Sequence, residues 1–361
     1  MKKKLWAPLM LGVAMLVVSA CGNNNSNGNS ANGESGASSS PSASASASAS
    51  APAADDGKQF KIAISQIVEH PSLDATREGF LAALKDNGIE EGVNLTLDYN
   101  NAQDDPTNNL SIAQKLASEK NDLILAIATP SAQAIVQNVK DSPVLFAAVT
   151  DPLDAKLVTD LEKPGGNVSG ASDTNPAAIT QLMDFIASDF PNVKTVGVVI
   201  NEGEPNAVVM SKKAEEALSA HGIKLVKAAV TNTSEVKQAA ESLVGRVDAF
   251  YITLDNKVVS GVDAIIQVAN ENKLPFFSSD RDTVEKGAFA TVGFKYFDHG
   301  YQAGLMAVDV LKNGKNIGDL PVTMQEKLDL ILNLKAAEAQ GITVTDAMKQ
   351  KVQDQETNII Q

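Results

Sequence analysis

The chain is poor in the residues on which disulfide-stapled scaffolds and nucleic-acid-binding proteins depend. It has a single cysteine, Cys21, which excludes an intramolecular disulfide. It has three arginines, and its acidic side chains outnumber the basic ones by 44 to 30, for a net charge of −14. A chain this acidic is a poor partner for nucleic acid, because phosphate binding needs clustered Lys and Arg.

Recognisable catalytic motifs are also missing from the sequence. It contains no G-x-S-x-G nucleophile elbow, no P-loop and no strand-linked G-x-G-x-x-G. The three histidines, His70, His221 and His299, lie too far apart in sequence to predict a metal cluster. We therefore expect a protein that is not an enzyme, with no catalytic residue, no metal site and no cofactor.

The first twenty residues have the pattern of an export signal. A basic start at Lys2–Lys4 precedes an apolar run, Leu9–Val18, that is too short for a comfortable membrane span. Cys21 follows directly in the stretch LVVSAC, which resembles a lipobox, where bacterial lipoprotein precursors are diacylated on cysteine and cleaved. We expect residues 1–20 to be removed and the protein to be extracytoplasmic, anchored to the bacterial cell membrane by a lipid on Cys21.

A flexible tether is predicted between this cysteine and the folded part of the chain. Residues 21–57 are rich in Ser, Ala, Asn and Gly, and after the cysteine they contain no aliphatic side chain larger than Ala. Such a segment cannot bury enough apolar surface to offset its chain entropy. Residues 58–361 remain for folding, which is ample for two lobes.

The folded part alternates short β-branched runs with amphipathic helical stretches, the pattern of an α/β protein with parallel sheets. The alternation restarts after PGGNVSGASDTNP, which predicts two successive α/β lobes. The predicted strands are 60–65, 94–99, 122–129, 143–150, 195–201, 224–230, 249–255 and 275–279. The predicted helices are 73–87, 206–221, 234–245 and 257–273.

Polar residues follow most of these strands, where ligands bind in open parallel sheets. The candidate ligand-binding residues at these strand ends, and at one predicted lobe crossing, are Gln66, His70, Asp74, Thr129, Ser131, Ala132, Thr150, Asp151, Asn201, Asp255, Asn256, Ser279, Asp280 and Phe294. An Asp in such a position often caps the next helix instead. A core position is the competing interpretation for Phe294, and a solvent-exposed loop is the competing one for His70.

The stretch AIATPSAQA suggests how one such end would bind an anion. Thr129 can cap the following helix, Pro130 suits its first position, and the N–H groups of Ser131 and Ala132 would then face outward beside the Ser131 hydroxyl. A helix start of this kind accepts a carboxylate without Lys or Arg. Asp74, Asp151, Asp255 and Asp280 could oppose an ammonium group, and Phe294 or Tyr296 could stack on an aromatic ligand.

A set of motifs, in order along residues 60–341, resembles the ABC-transporter substrate-binding lipoproteins of the tryptophan/tyrosine (TrpX-like) type. The motifs are VEHPSLDATREGFLAALKDNGI, NAQDD, AIATPSAQA, VTDP, LEKPGGNVSGASD, LDNKVVS and LNLKAAEAQGI. The sequence departs from the family at SSDRD, where the second lobe commonly carries a less acidic loop. The tail from Ile342 onward is expected to be family-variable.

The resemblance implies two Rossmann-like lobes with parallel sheets, in the type I periplasmic-binding-protein fold with three hinge crossings. We expect the crossings near 171–175, 291–295 and 317–321. The first lobe would then comprise 58–172 plus 293–319, and the second 173–292 plus 320–361. The implied function is to capture an amino acid, preferably aromatic, and deliver it to an ABC permease in the membrane.

Two alternatives stay open on the sequence alone. One is a sugar- or nucleoside-binding protein of the same fold, although sugar sites usually combine stacked aromatics with Arg and this chain is short of both. The other is an extracytoplasmic sensor module or an enzyme acting on a bound metabolite. Turnover of a candidate ligand would distinguish an enzyme from a binding protein.

Overall fold

The computed structural model describes residues 57–361. The predicted signal segment, Cys21 and nearly all of the predicted tether lie outside the described residues. Within residues 57–361, no helix is both long enough and apolar enough to cross a membrane.

Strands and helices alternate along most of the described chain. The strands are β1 (Phe60–Gln66), β2 (Leu95–Asn101), β3 (Leu123–Ile127), β4 (Val144–Val149), β5 (Val168–Ser172), β6 (Thr195–Ile200), β7 (Lys224–Ala229), β8 (Ala249–Ile252), β9 (Phe276–Ser278), β10 (Ala290–Gly293), β11 (Thr323–Met324), β12 (Asp329–Asn333) and β13 (Ile359–Ile360). All eight predicted strands are confirmed, with ends that differ by up to three residues.

The helices are α1 (Pro71–Asp86), α2 (Pro106–Ser118), α3 (Thr129–Asn138), α4 (Pro176–Asp189), α5 (Pro205–Ala220), α6 (Val236–Leu243), α7 (Asn256–Ser260), α8 (Val262–Asn272), α9 (Arg281–Lys286), α10 (Tyr296–Leu311), α11 (Leu334–Ala339), α12 (Asp346–Gln350) and α13 (Gln355–Asn358). Each of α1 to α5 has proline in its first turn, where the ring sets a helical φ and no intrahelical hydrogen bond is lost. The predicted helix 257–273 is two helices, α7 and α8, which meet at Gly261.

Two sheets form the cores of two lobes. The first sheet has the order β11-β5-β4-β3-β1-β2, and the second has the order β13-β12-β10-β9-β8-β6-β7. All neighbouring strands are parallel except β10 and β12. We call the first sheet with its covering helices the first lobe, and the second sheet with its helices the second lobe. The predicted α/β class with parallel sheets in two lobes is confirmed.

Both faces of each sheet are covered, which explains the continuous apolar runs in the sequence. In β3, Leu125 and Ile127 pack under α1 and α10, whereas Ile124 and Ala126 pack under α2 and α3. Every residue of β3 is therefore buried, as expected for a central parallel strand between two helical layers.

The chain passes between the lobes three times, after β5, after β10 and after β11. The helix that follows the second passage, α10, returns to the first lobe and lies directly against α1. Glycines allow this approach, because a Cβ at Gly300 would lie 1.9 Å from the Thr76 carbonyl oxygen, and one at Gly79 would lie 2.0 Å from the Phe297 carbonyl oxygen.

The third passage lies later than the sequence indicated. Thr323 pairs with Ala171 and Met324 with Ser172, so β11 extends the first sheet. The chain leaves the first lobe after Met324, beyond both the crossing predicted at 317–321 and the boundary predicted at residue 320. A two-residue strand has no alternating pattern that sequence reasoning could detect.

Candidate functional site

The carboxyl ends of both sheets face one cleft, which contains two adjoining pockets. The polar pocket, of about 320 Å³, is lined by His70, Ser72, Leu73, Thr129, Ala148, Thr150, Asp173, Asn206, Leu254, Asn256, Val259, Asp280 and Tyr296. The apolar pocket, of about 400 Å³, is lined by Asp173, Thr174, Asn175, Ala178, Ile179, Leu182, Met210, Leu254, Ser279, Asp280, Val292, Gly293, Phe294 and Tyr296. Both lobes contribute to each pocket, so the site exists only where the lobes meet.

The helix start at Thr129 is built differently from the predicted cap. Thr129 is already helical, and the capping position belongs to Ala128, at φ 76° and ψ 154°. This backbone region strongly favours glycine, and strained residues of this kind cluster at functional sites. Thr129 lines the polar pocket, and its hydroxyl lies 3.5 Å from the Thr150 backbone nitrogen.

Ser131 and Ala132 are not where the anion-binding hypothesis placed them. Neither residue lines either of the two cleft pockets. The Ser131 hydroxyl lies 3.4 Å from the Asn109 side-chain oxygen, and the Ala132 N–H donates to the Ala128 carbonyl within the helix. The Ala132 N–H is therefore already used inside the helix and is not free to donate to a ligand.

The end of β4 carries a second distortion, held in place by a histidine. The register between β4 and β5 shifts between Phe146 and Val149, and Ala148 has φ 54°. The Ala148 N–H donates to His299 Nε2 at 3.0 Å, which requires an unprotonated Nε2. Burial lowers the pKa of His299 to about 4, so the imidazole stays neutral and can accept this bond. His299 thereby fixes the bulge beside Thr150.

The second lobe contributes a buried group of carboxylates and amides. Glu204 accepts from the Asn206 and Asn256 side-chain nitrogens at 3.1 and 2.7 Å. Asp255 accepts from the Asn201 N–H at 2.5 Å and from the Val258 N–H at 3.2 Å. Burial and the neighbouring Glu204 carboxylate raise the pKa of Asp255 to about 8. Asp255 therefore caps α7 from beneath the cleft surface, and Asn256 is the residue that lines it.

Asp280 and Ser279 lie at the end of β9, as the sequence suggested. Asp280 caps α9 through the Thr283 N–H at 2.7 Å and also accepts from the Ser72 hydroxyl of the first lobe at 3.1 Å. The Ser279 hydroxyl pairs with the Tyr251 hydroxyl at 2.7 Å and lines the apolar pocket. The helix-cap role and the cleft-lining role therefore coincide in Asp280.

Asp173 is the cleft carboxylate that sequence reasoning missed. It lies on the first passage between the lobes, lines both pockets, and accepts from the Tyr296 hydroxyl at 3.0 Å. Burial raises the pKa of Asp173 to about 6. The Phe294 ring lines the apolar pocket, with its centroid 5.2 Å from that of Tyr296 and its plane tilted by 40°. Asp173 directly follows β5, whose small side chains did not predict a strand, so the sequence offered no strand end at this position.

Several predicted residues lie elsewhere in the described structure. Gln66 and Asp74 bond to each other and to Arg77 behind the cleft. The Asn201 side chain accepts from the Gly203 N–H and lines neither pocket of the described cleft. Asp151 lies at the outer rim, 3.6 Å from Lys213 of the second lobe. The polar residues that do line the cleft include His70, Thr129, Thr150, Asn256 and Asp280.

Contacts across the cleft show that the lobes are closed on each other. His70 Nε2 lies 3.4 Å from Asn256 Oδ1. Away from the pockets, Lys257 of the second lobe contacts both the carboxylate and the carbonyl of Asp104. Gln103 and Asp104 have φ of 54° and 59°, a left-handed turn that presents both Asp104 oxygens to Lys257.

The sequence matches the family model described as ABC transporter substrate binding protein over residues 61–355. The chain belongs to this family. The match includes residues 342–355, part of the tail that was expected to be family-variable. Met348 and Val352 pack in the core of the second lobe, and β13 pairs with β12, which gives this segment a structural role.

Named relatives agree with this assignment. The tyrosine-binding protein of Clostridioides difficile strain R20291 is 43% identical over 292 residues, which cover 80% of this chain and 84% of that protein. An ABC domain from Streptococcus pneumonia, solved in complex with L-Trp, is 33% identical with a TM-score of 0.77, covering 82% of this chain and 99% of that one.

A third relative informs the arrangement of the lobes. The ligand-free, open structure of a substrate-binding protein with adhesive properties from Clostridium difficile is 42% identical, over 83% of this chain and 98% of that one. Its TM-score is only 0.62, below that of the less similar L-Trp complex. That relative is described as open, whereas the lobes of this chain contact each other across the cleft.

The raised pKa of Asp255 predicts a pH-dependent stability. Between pH 6.5 and 8 an unfolded aspartate is ionised, whereas the folded Asp255 still holds its proton, so unfolding releases a proton. The free energy of unfolding should therefore fall as the pH rises through this window, and it should fall less steeply in Asp255→Asn. Denaturant titrations at several pH values measure both slopes.

The control for this experiment is Asp263→Asn, whose side chain is 81% exposed. This variant should keep the wild-type slope. Equal slopes in Asp255→Asn and the wild type would contradict the assignment of the bound proton to Asp255.

Proposed function

We propose that the protein binds an aromatic L-amino acid between its closing lobes and delivers it to an ABC permease outside the cytoplasm. One observation carries the proposal: a polar pocket with donors on one wall and acceptors on the other adjoins an apolar pocket, with which it shares Asp173, Leu254, Asp280 and Tyr296. An α-amino acid matches this arrangement, because its zwitterionic carboxylate and ammonium groups would occupy the polar pocket and its side chain the apolar pocket.

The first-lobe wall supplies donors for the carboxylate. Thr129 contributes a hydroxyl and belongs to the first turn of α3, whose N–H groups lack intrahelical partners and favour negative charge. Thr150 follows the bulged end of β4 on the same wall. A carboxylate held in this way needs no Arg, and neither pocket of the described cleft contains one.

The opposite wall and the floor supply acceptors for the ammonium group. Asp173 and Asp280 line the polar pocket as carboxyl groups. Asn206 also lines it, and its Oδ1 is buried with no hydrogen-bond partner among residues 57–361. A buried polar atom without a partner is costly in a folded protein, and a bound ammonium group would satisfy this one.

The apolar pocket suits a large flat side chain. Ile179, Leu182, Met210 and Val292 give it aliphatic walls, and the Phe294 ring lies at one side. The tyrosine-binding relative and the L-Trp complex support an aromatic ligand over a sugar or a nucleoside.

The hydroxyl of Thr129 can be tested against that of Ser131. Thr129→Val keeps the shape but removes a donor to a charged group, which should weaken L-tryptophan binding about ten- to a hundredfold. Ser131→Ala, the matched control, should change the affinity by less than about threefold, because losing a weak neutral hydrogen bond outside the pocket costs little. Calorimetric titration of the chain from residue 21, carrying Cys21→Ser, measures both affinities.

Comparison of tryptophan with tryptamine ties the effect to the carboxylate. The preference for tryptophan should shrink in Thr129→Val and stay unchanged in Ser131→Ala. Equal losses of tryptophan affinity in the two variants would contradict this placement of the carboxylate. A full preference for tryptophan over tryptamine in Thr129→Val would contradict it as well.

We also propose that a lipid on Cys21 anchors the mature chain to the membrane. The lipobox-like stretch LVVSAC and the Ser-, Ala- and Asn-rich tract behind it support the proposal, since an acylated cysteine ahead of the folded lobes would hold them near a permease. Cys21→Ser should move the protein from the membrane fraction to the soluble fraction of expressing cells. Continued sedimentation with membranes, monitored by immunoblot, would contradict lipid anchoring through Cys21.

A further inference from the structure

Glu204 is buried beside the cleft but does not line either pocket of the described structure. It occupies the N-cap position of α5 without capping that helix through its side chain. Its carboxylate instead accepts from the Asn256 N–H at 3.0 Å, the Lys257 N–H at 3.2 Å, and the amide groups of Asn206 and Asn256. One carboxylate therefore holds two asparagines of the second lobe.

The hydrogen bonds of Asn206 leave one orientation for its amide. Its Nδ2 donates to Glu204 at 3.1 Å and to the Leu254 carbonyl at 2.7 Å, so both amide hydrogens are used. A carboxylate and a carbonyl can only accept, so a flipped amide would place oxygen against oxygen. Oδ1 is then the amide atom that faces away from Glu204 and the Leu254 carbonyl. Asn206 also lines the polar pocket.

The same argument fixes the orientation of the Asn256 amide and, through it, the position of the hydrogen on His70 of the first lobe. Asn256 Nδ2 donates to Glu204 at 2.7 Å, which leaves Oδ1 as the atom 3.4 Å from His70 Nε2. An oxygen acceptor there requires the hydrogen of a neutral His70 to be on Nε2. His70 Nδ1 is then an acceptor, and it is buried with no partner in the described part of the chain.

We propose that Glu204 is a positioning residue that sets the polarity of the ligand pocket, making Asn206, Asn256 and His70 a surface of acceptors for the ligand's ammonium group. The proposal rests on the proposed function and extends it. Glu204 acts through the amides and does not itself touch the ligand. Its role is to make the site select ligands that carry an ammonium group over otherwise identical ligands that lack one.

The neighbouring Asp255 supports this assignment. Burial and the nearby Glu204 carboxylate raise the pKa of Asp255. Glu204 also receives four N–H donors, against two for Asp255. A side chain that receives four N–H donors acts as an acceptor, which is the condition that orients the two amides.

The test is Glu204→Gln, which keeps an acceptor for the α7 backbone but introduces a donor among the asparagine amides. At least one amide should then flip and turn its NH2 group toward the cleft. Calorimetric titration compares L-tryptophan with indole-3-propionate, which keeps the ring and the carboxylate and lacks the ammonium group. The preference of the wild type for tryptophan should fall about ten- to a hundredfold in the variant.

Glu202→Gln is the matched control, because Glu202 is exposed two residues away and the substitution makes the same change in charge. It should keep the wild-type preference. Asn206→Ala, which removes one acceptor and leaves Glu204 intact, should reduce the preference as well. The positioning role would be overturned in favour of simple helix capping if Glu204→Gln kept the wild-type preference for tryptophan. Equal losses of affinity for tryptophan and indole-3-propionate would overturn it as well.

A measurement on the wild type alone gives a second test. Long-range proton–nitrogen NMR of the tryptophan-saturated protein should show His70 with its hydrogen on Nε2 and His299 with its hydrogen on Nδ1. A hydrogen on Nδ1 of His70 would overturn the inference even if a variant failed to fold. If the wild type bound neither tryptophan nor tyrosine, the proposed function would fail first, and the ratio of the two ligands could not be measured at all.

Discussion

The structure depends on one constraint: closing the cleft removes polar and charged groups of both lobes from water, and each must find a partner. The lobes satisfy much of this demand for each other. Ser72 donates to Asp280, His70 meets Asn256, and Lys257 meets Asp104 at the rim. What the lobes leave unsatisfied within residues 57–361, including Asn206 Oδ1 and His70 Nδ1, defines the complement that a ligand must supply.

This constraint relates the strained backbone and the buried ionisable groups to binding. Ala128 and Ala148 hold left-handed φ values at two strand ends, and the neutral His299 stabilises one of them. Asp173 and Asp255 are buried with raised pKa values, which is costly unless a proton or a cationic group is near. An empty closed cleft would keep these costs without the compensating ligand, so opening is the expected response when no ligand is bound.

The sequence predicted the architecture well because the strands are buried on both faces and the helices begin with proline. It placed His70, Thr129, Thr150, Asn256 and Asp280 at the cleft because parallel strands end at one edge. It misplaced Ser131 and Ala132, since the helix begins at the expected cap, Thr129, and the cap is Ala128, one residue earlier. It missed Asp173, Asn206 and Glu204 because their roles arise from hydrogen bonds between distant segments, which carry no local pattern.

Small-angle scattering of the chain from residue 21, carrying Cys21→Ser, tests the central claim most directly: an aromatic amino acid holds the two lobes closed. The ligand-free protein should be open, and saturating L-tryptophan or L-tyrosine should reduce the radius of gyration. Indole-3-propionate should produce a smaller shift at equal concentration, because it leaves the acceptor wall unpaired. A radius that stays the same with and without bound amino acid would contradict ligand-driven closure.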